Sequence, residues 1–224
     1  MKVGTDAVLL GAWAEVSDAA SILDIGTGTG ILALMTAQRT ESTHLKITAV
    51  EIDNGAYHDA FENISKSRWC NRIELLHSSF TSVNGCWDLI ISNPPFFSSP
   101  LKSPLESRAM ARHAGELNYF TLIKFASGHL TPGGSLAMIS DLSESSSEII
   151  YCAEMHRLKV RRICKVLDHE GGVHIRTLWQ FKKNDGPIEK SEIAIRTSDN
   201  NTLSDEFKIL TNHFYLDNHN GKSK

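Results

Sequence analysis

Ser21-Ile22-Leu23-Asp24-Ile25-Gly26-Thr27-Gly28-Thr29-Gly30-Ile31-Leu32 sets the frame for the whole chain. An apolar run meets three glycines at alternate positions, and a second run with helical spacing follows. That is a strand, a tight turn and a helix, with glycine wherever the backbone must take a left-handed conformation or pass close to a ligand. Working outward, Ile-, Val- and Leu-rich segments predict further strands at 46–51, 73–77, 87–92 and 134–140, after a first strand at 21–24. Helices are predicted between them at 31–39, 55–65 and 117–130. Such alternation implies a parallel sheet with helices on both faces. After a further helix near 145–156, segments 158–166 and 176–182 flank Gly171-Gly172 and read as an antiparallel pair closing the sheet. The fold class expected is α/β and Rossmann-like, a seven-stranded, mostly parallel sheet with a C-terminal antiparallel strand. Residues 1–183 would form this domain. Residues 184–224 would be an extension packed on it: a polar, linker-like stretch at 184–198, a short docking helix at 204–216, and flexible last residues from Asn218.

Composition narrows the function. With 224 residues, 41% hydrophobic and 22% charged, the chain suits one soluble domain. No apolar run reaches the roughly 18 residues of a membrane span, and the N-terminus does not read as a signal peptide, so a cytoplasmic protein is expected. The four cysteines and ten histidines show neither Cys-x-x-Cys nor His-Glu-x-x-His spacing, so no metal is expected. A net charge of −3 gives no global attraction to nucleic acid. Any RNA contact must use local clusters, such as Arg68/Arg72, Lys102/Arg108/Arg112/His113 or Lys159/Arg161/Arg162/Lys165.

The glycine turn implies a nucleotide-like ligand near Gly26, Gly28 and Gly30. Gly28-x-Gly30-x-x-Ala33 even fits a relaxed dinucleotide fingerprint. Asp24 separates the alternatives. A carboxylate just before the glycines would repel a pyrophosphate, but it suits the cationic methionine end of S-adenosylmethionine, whose ammonium it could hold directly or through water. Glu51 closes the next strand, where a carboxylate can accept both ribose hydroxyls. Asp53 is the weaker choice there, since acidic residues at strand ends are commonly just solvated. Ser79 and Phe80, after the third strand, are the candidates for adenine contacts, against ordinary loop packing.

Asn93-Pro94-Pro95-Phe96 follows the fourth predicted strand and so emerges at the carboxyl edge of the sheet, beside the cofactor. Two prolines stiffen the loop and remove two backbone donors, leaving carbonyls to accept hydrogen bonds. A planar amino nitrogen is a poor nucleophile because its lone pair is delocalised. Acceptors on its two N–H bonds, here Asn93 Oδ1 and the Pro94 carbonyl, would help it pyramidalise toward a methyl sulfonium. Phe96 would stack on the base, a contact worth about 1–3 kcal/mol. Phe97 would pack below it or form the other wall of the slot. A double-proline turn with no chemistry is the plainer alternative.

Met1-Lys2-Val3-Gly4-Thr5-Asp6-Ala7-Val8-Leu9-Leu10-Gly11-Ala12-Trp13, Asn93-Pro94-Pro95-Phe96-Phe97 and Ala111-Arg112-His113 together resemble the bacterial tRNA(Val) adenine-N6 methyltransferases, class I S-adenosylmethionine-dependent enzymes. The resemblance covers nearly the whole chain. It implies N6-methylation of adenine 37 in tRNA(Val), with Thr5 and Asp6 enclosing the methionine end of the cofactor; a monomer is expected, although nothing in the sequence sets the oligomeric state. It also implies that Arg112 and His113 face the tRNA; Arg108 and Phe97 are further candidates for RNA contact. Three other substrates fit the same tetrapeptide: a glutamine amide in a protein such as a release factor, a DNA adenine, and a guanine N2. A non-catalytic RNA-binding module is a further alternative, although such a module would be expected to lose Asp24, Glu51 or Asn93.

Overall fold

The computed structural model describes residues 4–40, 44–95, 117–142 and 146–215. The expected sites at Phe96, Phe97, Arg108, Arg112 and His113, and the expected flexible tail, lie outside the described residues. The glycine stretch opens the sheet as read: β1 (Ser21–Ile25), then α2 (Ile31–Arg39), preceded by α1 (Thr5–Trp13). There follow β2 (Lys46–Glu51), α3 (Asn54–Ser65), β3 (Ile73–His77), β4 (Trp87–Ser92), α4 (Tyr119–His129), β5 (Leu130–Asp141) and α5 (Ser146–Met155). The chain ends in β6 (Lys159–His169), β7 (His174–Lys182), β8 (Glu189–Arg196) and α6 (Asp205–Thr211).

The strands form one sheet in the order β3-β2-β1-β4-β5-β7-β6-β8. β1 to β5 pair in parallel, whereas β7 runs antiparallel to both β5 and β6. Helices α1, α2, α3 and α6 pack one face, around Leu9, Ile22, Leu89, Ile139 and Phe207. The other face belongs to α4 and α5, around Leu23, Ile90, Met138 and Trp179.

Two readings need correction. The sheet has eight strands and not seven, because the linker-like stretch at 184–198 contains β8, paired in parallel with β6 from Arg162↔Glu189 to His169↔Arg196. As an edge strand it exposes Glu189, Lys190, Ser191 and Glu192 and buries only Ile193 and Ala194, so its pattern is polar for most of its length. Helix α1 gave no periodic signal either. Every residue from Ala7 to Trp13 is buried, so it has no polar face.

Helix α1 is fastened at both ends. Arg39 Nη1 donates to the Gly11 and Ala14 carbonyls (2.7 and 2.6 Å), and Arg162 Nη1 donates to Trp13 O (3.2 Å) while its guanidinium lies 4.4 Å over the Trp13 ring. These cations satisfy the last carbonyls of the helix, where its dipole favours positive charge. At the other end, Asp6 Oδ2 accepts from Arg176 Nε on β7 at 3.0 Å. Arg176 pairs with Asp141, the last residue of β5, so the start of α1 stands at the carboxyl edge of the sheet.

Candidate active site

The turn after β1 is built from backbone. Gly26, Gly28 and Gly30 all have positive φ (67°, 58° and 81°), and Gly26 N and Thr27 N donate to Val50 O on β2 at 2.9 and 3.0 Å. Asn63 Nδ2 on α3 holds the Thr29 carbonyl at 2.9 Å. A Cβ on Gly26 would lie 2.6 Å from Leu117 Cδ2. The leucine tip can shift but the left-handed backbone cannot, so Gly26→Ala is expected to cost about 1–2 kcal/mol of stability, checked by denaturant titration.

Asp24 is fully buried beneath this turn. Its Oδ2 accepts from the Thr27 hydroxyl and from Ala33 N of α2 (3.0 Å), while among the described residues its Oδ1 has no partner. Burial pushes its pKa up to about 7, helped by the nearby Glu51 carboxylate and opposed by the Thr27 and Ala33 hydrogen bonds. A buried carboxylate oxygen without a donor disfavours ionisation until a cation arrives. The ammonium of an amino-acid moiety is such a cation.

Glu51 is 8% exposed and bridges two loops. Its Oε2 accepts from Gly28 N at 2.8 Å, and its Oε1 from Ile52 N and Asp53 N at 2.9 Å each. Three of roughly four lone-pair directions are therefore filled by backbone. Ribose hydroxyls would use the fourth or displace one of these amides. Asp53 caps α3 by accepting from Ala56 N at 2.8 Å, which is a structural role. Ile52, passed over in the sequence, is 67% exposed between the two carboxylates, and its carbonyl accepts from His77 Nε2 (3.2 Å). The signal was available: an aliphatic residue at a strand end, beside a carboxylate aimed at a ribose, is placed to cover a planar base.

The remaining candidates divide. Ser79 Oγ starts a short 3-10 turn, accepting from Thr81 N at 3.3 Å and bonding Thr81 Oγ1 at 2.8 Å. The Phe80 ring is buried edge-on to Phe125, at 5.3 Å between centroids, so ordinary packing accounts for it. Thr5 is exposed at the start of α1, and the Asp6 carboxylate pairs with Arg176.

Asn93 follows β4 directly. Ser92 Oγ donates to Ile25 O at 2.8 Å and ties the ends of β4 and β1 together. Asp24 is in register with Ile91, so Asn93 emerges two residues further along a neighbouring strand, at the same edge. Asn93 is half-buried, Pro94 buried and Pro95 exposed. The glycine loop, both carboxylates and this loop thus converge on the carboxyl ends of β1, β2 and β4, where open α/β sheets bind ligands. Among the described residues no cluster of His, Cys, Asp or Glu is placed to hold a metal, and no helix is long and apolar enough to cross a membrane.

Residues 3–166 match the family model of the methyltransferase small domain. A Tolumonas auensis protein named tRNA1(Val) (adenine(37)-N6)-methyltransferase is 41% identical over 217 residues, covering 96% of this chain and 90% of that relative. A protein of the same name from Bacteroides thetaiotaomicron is 38% identical over 218 residues, with 96% and 91% covered. The chain belongs to this methyltransferase family. Solved structures agree on the fold of the methyltransferase. A predicted O-methyltransferase from Agrobacterium tumefaciens superposes with a TM-score of 0.71 at 20% identity, over 93% of this chain and 96% of that one. A T. thermophilus 16S rRNA methyltransferase in complex with AdoMet and guanosine gives 0.55 at 19% identity, over 82% and 44%.

Proposed function

We propose that this methyltransferase uses S-adenosylmethionine to methylate N6 of adenine in tRNA, at position 37 of tRNA(Val). The observation that carries the reading is the pairing, on neighbouring strand ends, of the buried Asp24 carboxylate, whose Oδ1 has no partner among the described residues, with the Asn93-Pro94-Pro95 acceptor loop. The residues fit the cofactor: an anionic oxygen for its ammonium, a left-handed glycine cradle for close backbone approach, and Glu51 with exposed Ile52 for its ribose and base. The bound cofactor supplies an electrophilic methyl group on sulfur.

The protein's own part is orientation. Asn93 Oδ1 and the Pro94 carbonyl accept the two amino hydrogens of the base and hold its lone pair toward the methyl group. Proximity of two aligned reactants supplies most of the acceleration, and the proton leaves readily once the nitrogen is alkylated. The names of the 41% and 38% identical relatives support adenine 37 of tRNA1(Val) as the target.

The test is transfer from labelled S-adenosylmethionine to tRNA lacking this modification, followed by nucleoside analysis. N6-methyladenosine is expected, in the tRNA(Val) fraction. Unlabelled tRNA together with a labelled glutamine amide in a protein would replace this reading with protein methylation.

A further inference from the structure

The register of the sheet places a second surface to one side of the Asn93 loop. Ser92 pairs with Met138, so the Asn93 loop leaves β4 beside Ile139, and Arg176 of β7 pairs with Asp141 at the end of β5. Beyond that point the β6–β7 hairpin continues past the carboxyl edge, with β7, β6 and β8 displaced about 10, 14 and 19 Å to one side of β4 at ordinary strand spacing. β8 accompanies it as far as Arg196, opposite His169.

This arm is internally braced. Asp168 Oδ1 accepts from His169 N (2.8 Å) and Val173 N (2.7 Å), and Glu170 Oε2 accepts from Ser198 N (3.3 Å). Two of its acidic groups are therefore engaged by its own donors. Its cations are engaged less: among the described residues, Arg196 Nη1 donates only to the Asn200 carbonyl, at 3.5 Å. Lys165 and Arg196 are exposed, and among the described residues neither is in an ion pair. By strand alternation, Lys165, His169 and Arg196 share the face that carries Thr177 and Trp179. Glu192, opposite Lys165, is an acid on that face. Other members of the basic stretch recognised in the sequence are occupied: Arg162 by Glu189, Glu15 and Trp13, and Lys159 by Glu154.

We propose that this arm, through Lys165 and Arg196, holds the phosphate backbone of the tRNA beside the target nucleotide. The inference rests on the RNA reading above. It adds a partner surface that the base pocket does not include. The two cations are four residues apart along the strands, about 13 Å, so they meet separate phosphates of one backbone. Such contacts position the substrate without reading its sequence.

The test is a Lys165→Ala/Arg196→Ala double variant, with tRNA affinity measured across a salt series and methylation kinetics beside it. The expected result is a KM for tRNA raised roughly tenfold, with kcat at saturating tRNA and affinity for S-adenosylmethionine unchanged. The slope of log affinity against log salt should become shallower by about 1–2, since each phosphate contact contributes roughly 0.7–0.9. Lys165→Arg/Arg196→Lys should keep the parent behaviour, and Glu192→Gln should tighten binding. A parent that methylates tRNA while the double variant keeps its KM and salt slope overturns the arm and leaves the catalytic reading standing. A parent that binds no tRNA overturns both.

Discussion

Asn93→Ala is expected to lower kcat by about 10²–10³-fold while leaving the affinity for S-adenosylmethionine within about twofold of the parent. The loss follows from position. Asn93 is half-buried directly after β4, whereas the two carboxylates proposed to hold the cofactor, Asp24 and Glu51, belong to β1 and β2. Removing Oδ1 takes away one of the two acceptors that make the amino nitrogen nucleophilic. The hydrogen bonds made to Glu51 and the glycine turn come from backbone amides and Asn63, and stay in place. Isothermal titration with the cofactor and single-turnover methylation separate the two effects. Equal loss of binding and turnover would move Asn93 into the cofactor site.

Asp24 yields the second large effect, through pH. Its pKa stands at about 7 in the free protein because the carboxyl is buried. The free site is therefore partly protonated near neutrality, and a neutral acid attracts no ammonium. Affinity for S-adenosylmethionine is expected to rise with pH through about 7 and to fall up to tenfold per unit below it. Asp24→Asn should bind weakly at every pH and flatten the profile. Stability of the free protein should run the opposite way. An unfolded chain ionises this aspartate near the ordinary 3.8, whereas the folded protein keeps its proton up to about 7. Between these values folding is linked to proton uptake, so stability falls as pH rises, by at most about 1.4 kcal/mol per unit. Chemical denaturation of the free protein at pH 5 and pH 8, with Asp24→Asn alongside, checks the sign. A parent profile no steeper than that of the variant would remove Asp24 as the source.

What could be read in advance was local. The glycine turn, the acid before it, the acid ending the next strand and the Asn-Pro-Pro loop are short contiguous patterns whose backbone demands are written in residue type. Strand and helix order followed from hydrophobic period, because each inner strand is buried on both faces by the helices between them. Ile52 was legible too, but only with the neighbouring carboxylate's role in view.

The sequence by itself therefore determined the α/β order, the ligand-bearing edge and the residue types gathered there, because those rest on steric and periodic rules acting within a few residues. Tertiary structure alone decided the rest. It joined Asp6 to Arg176, 170 positions apart, closed the end of α1 with Arg39 and Arg162, and turned a polar stretch into β8. It also occupied Glu51 with backbone amides and left Asp24 with an oxygen unpartnered among the described residues. The physical reason is that burial and long-range pairing belong to the assembled chain. An edge strand needs only one buried face, and a helix enclosed on all sides needs no polar one, so neither leaves a period to read.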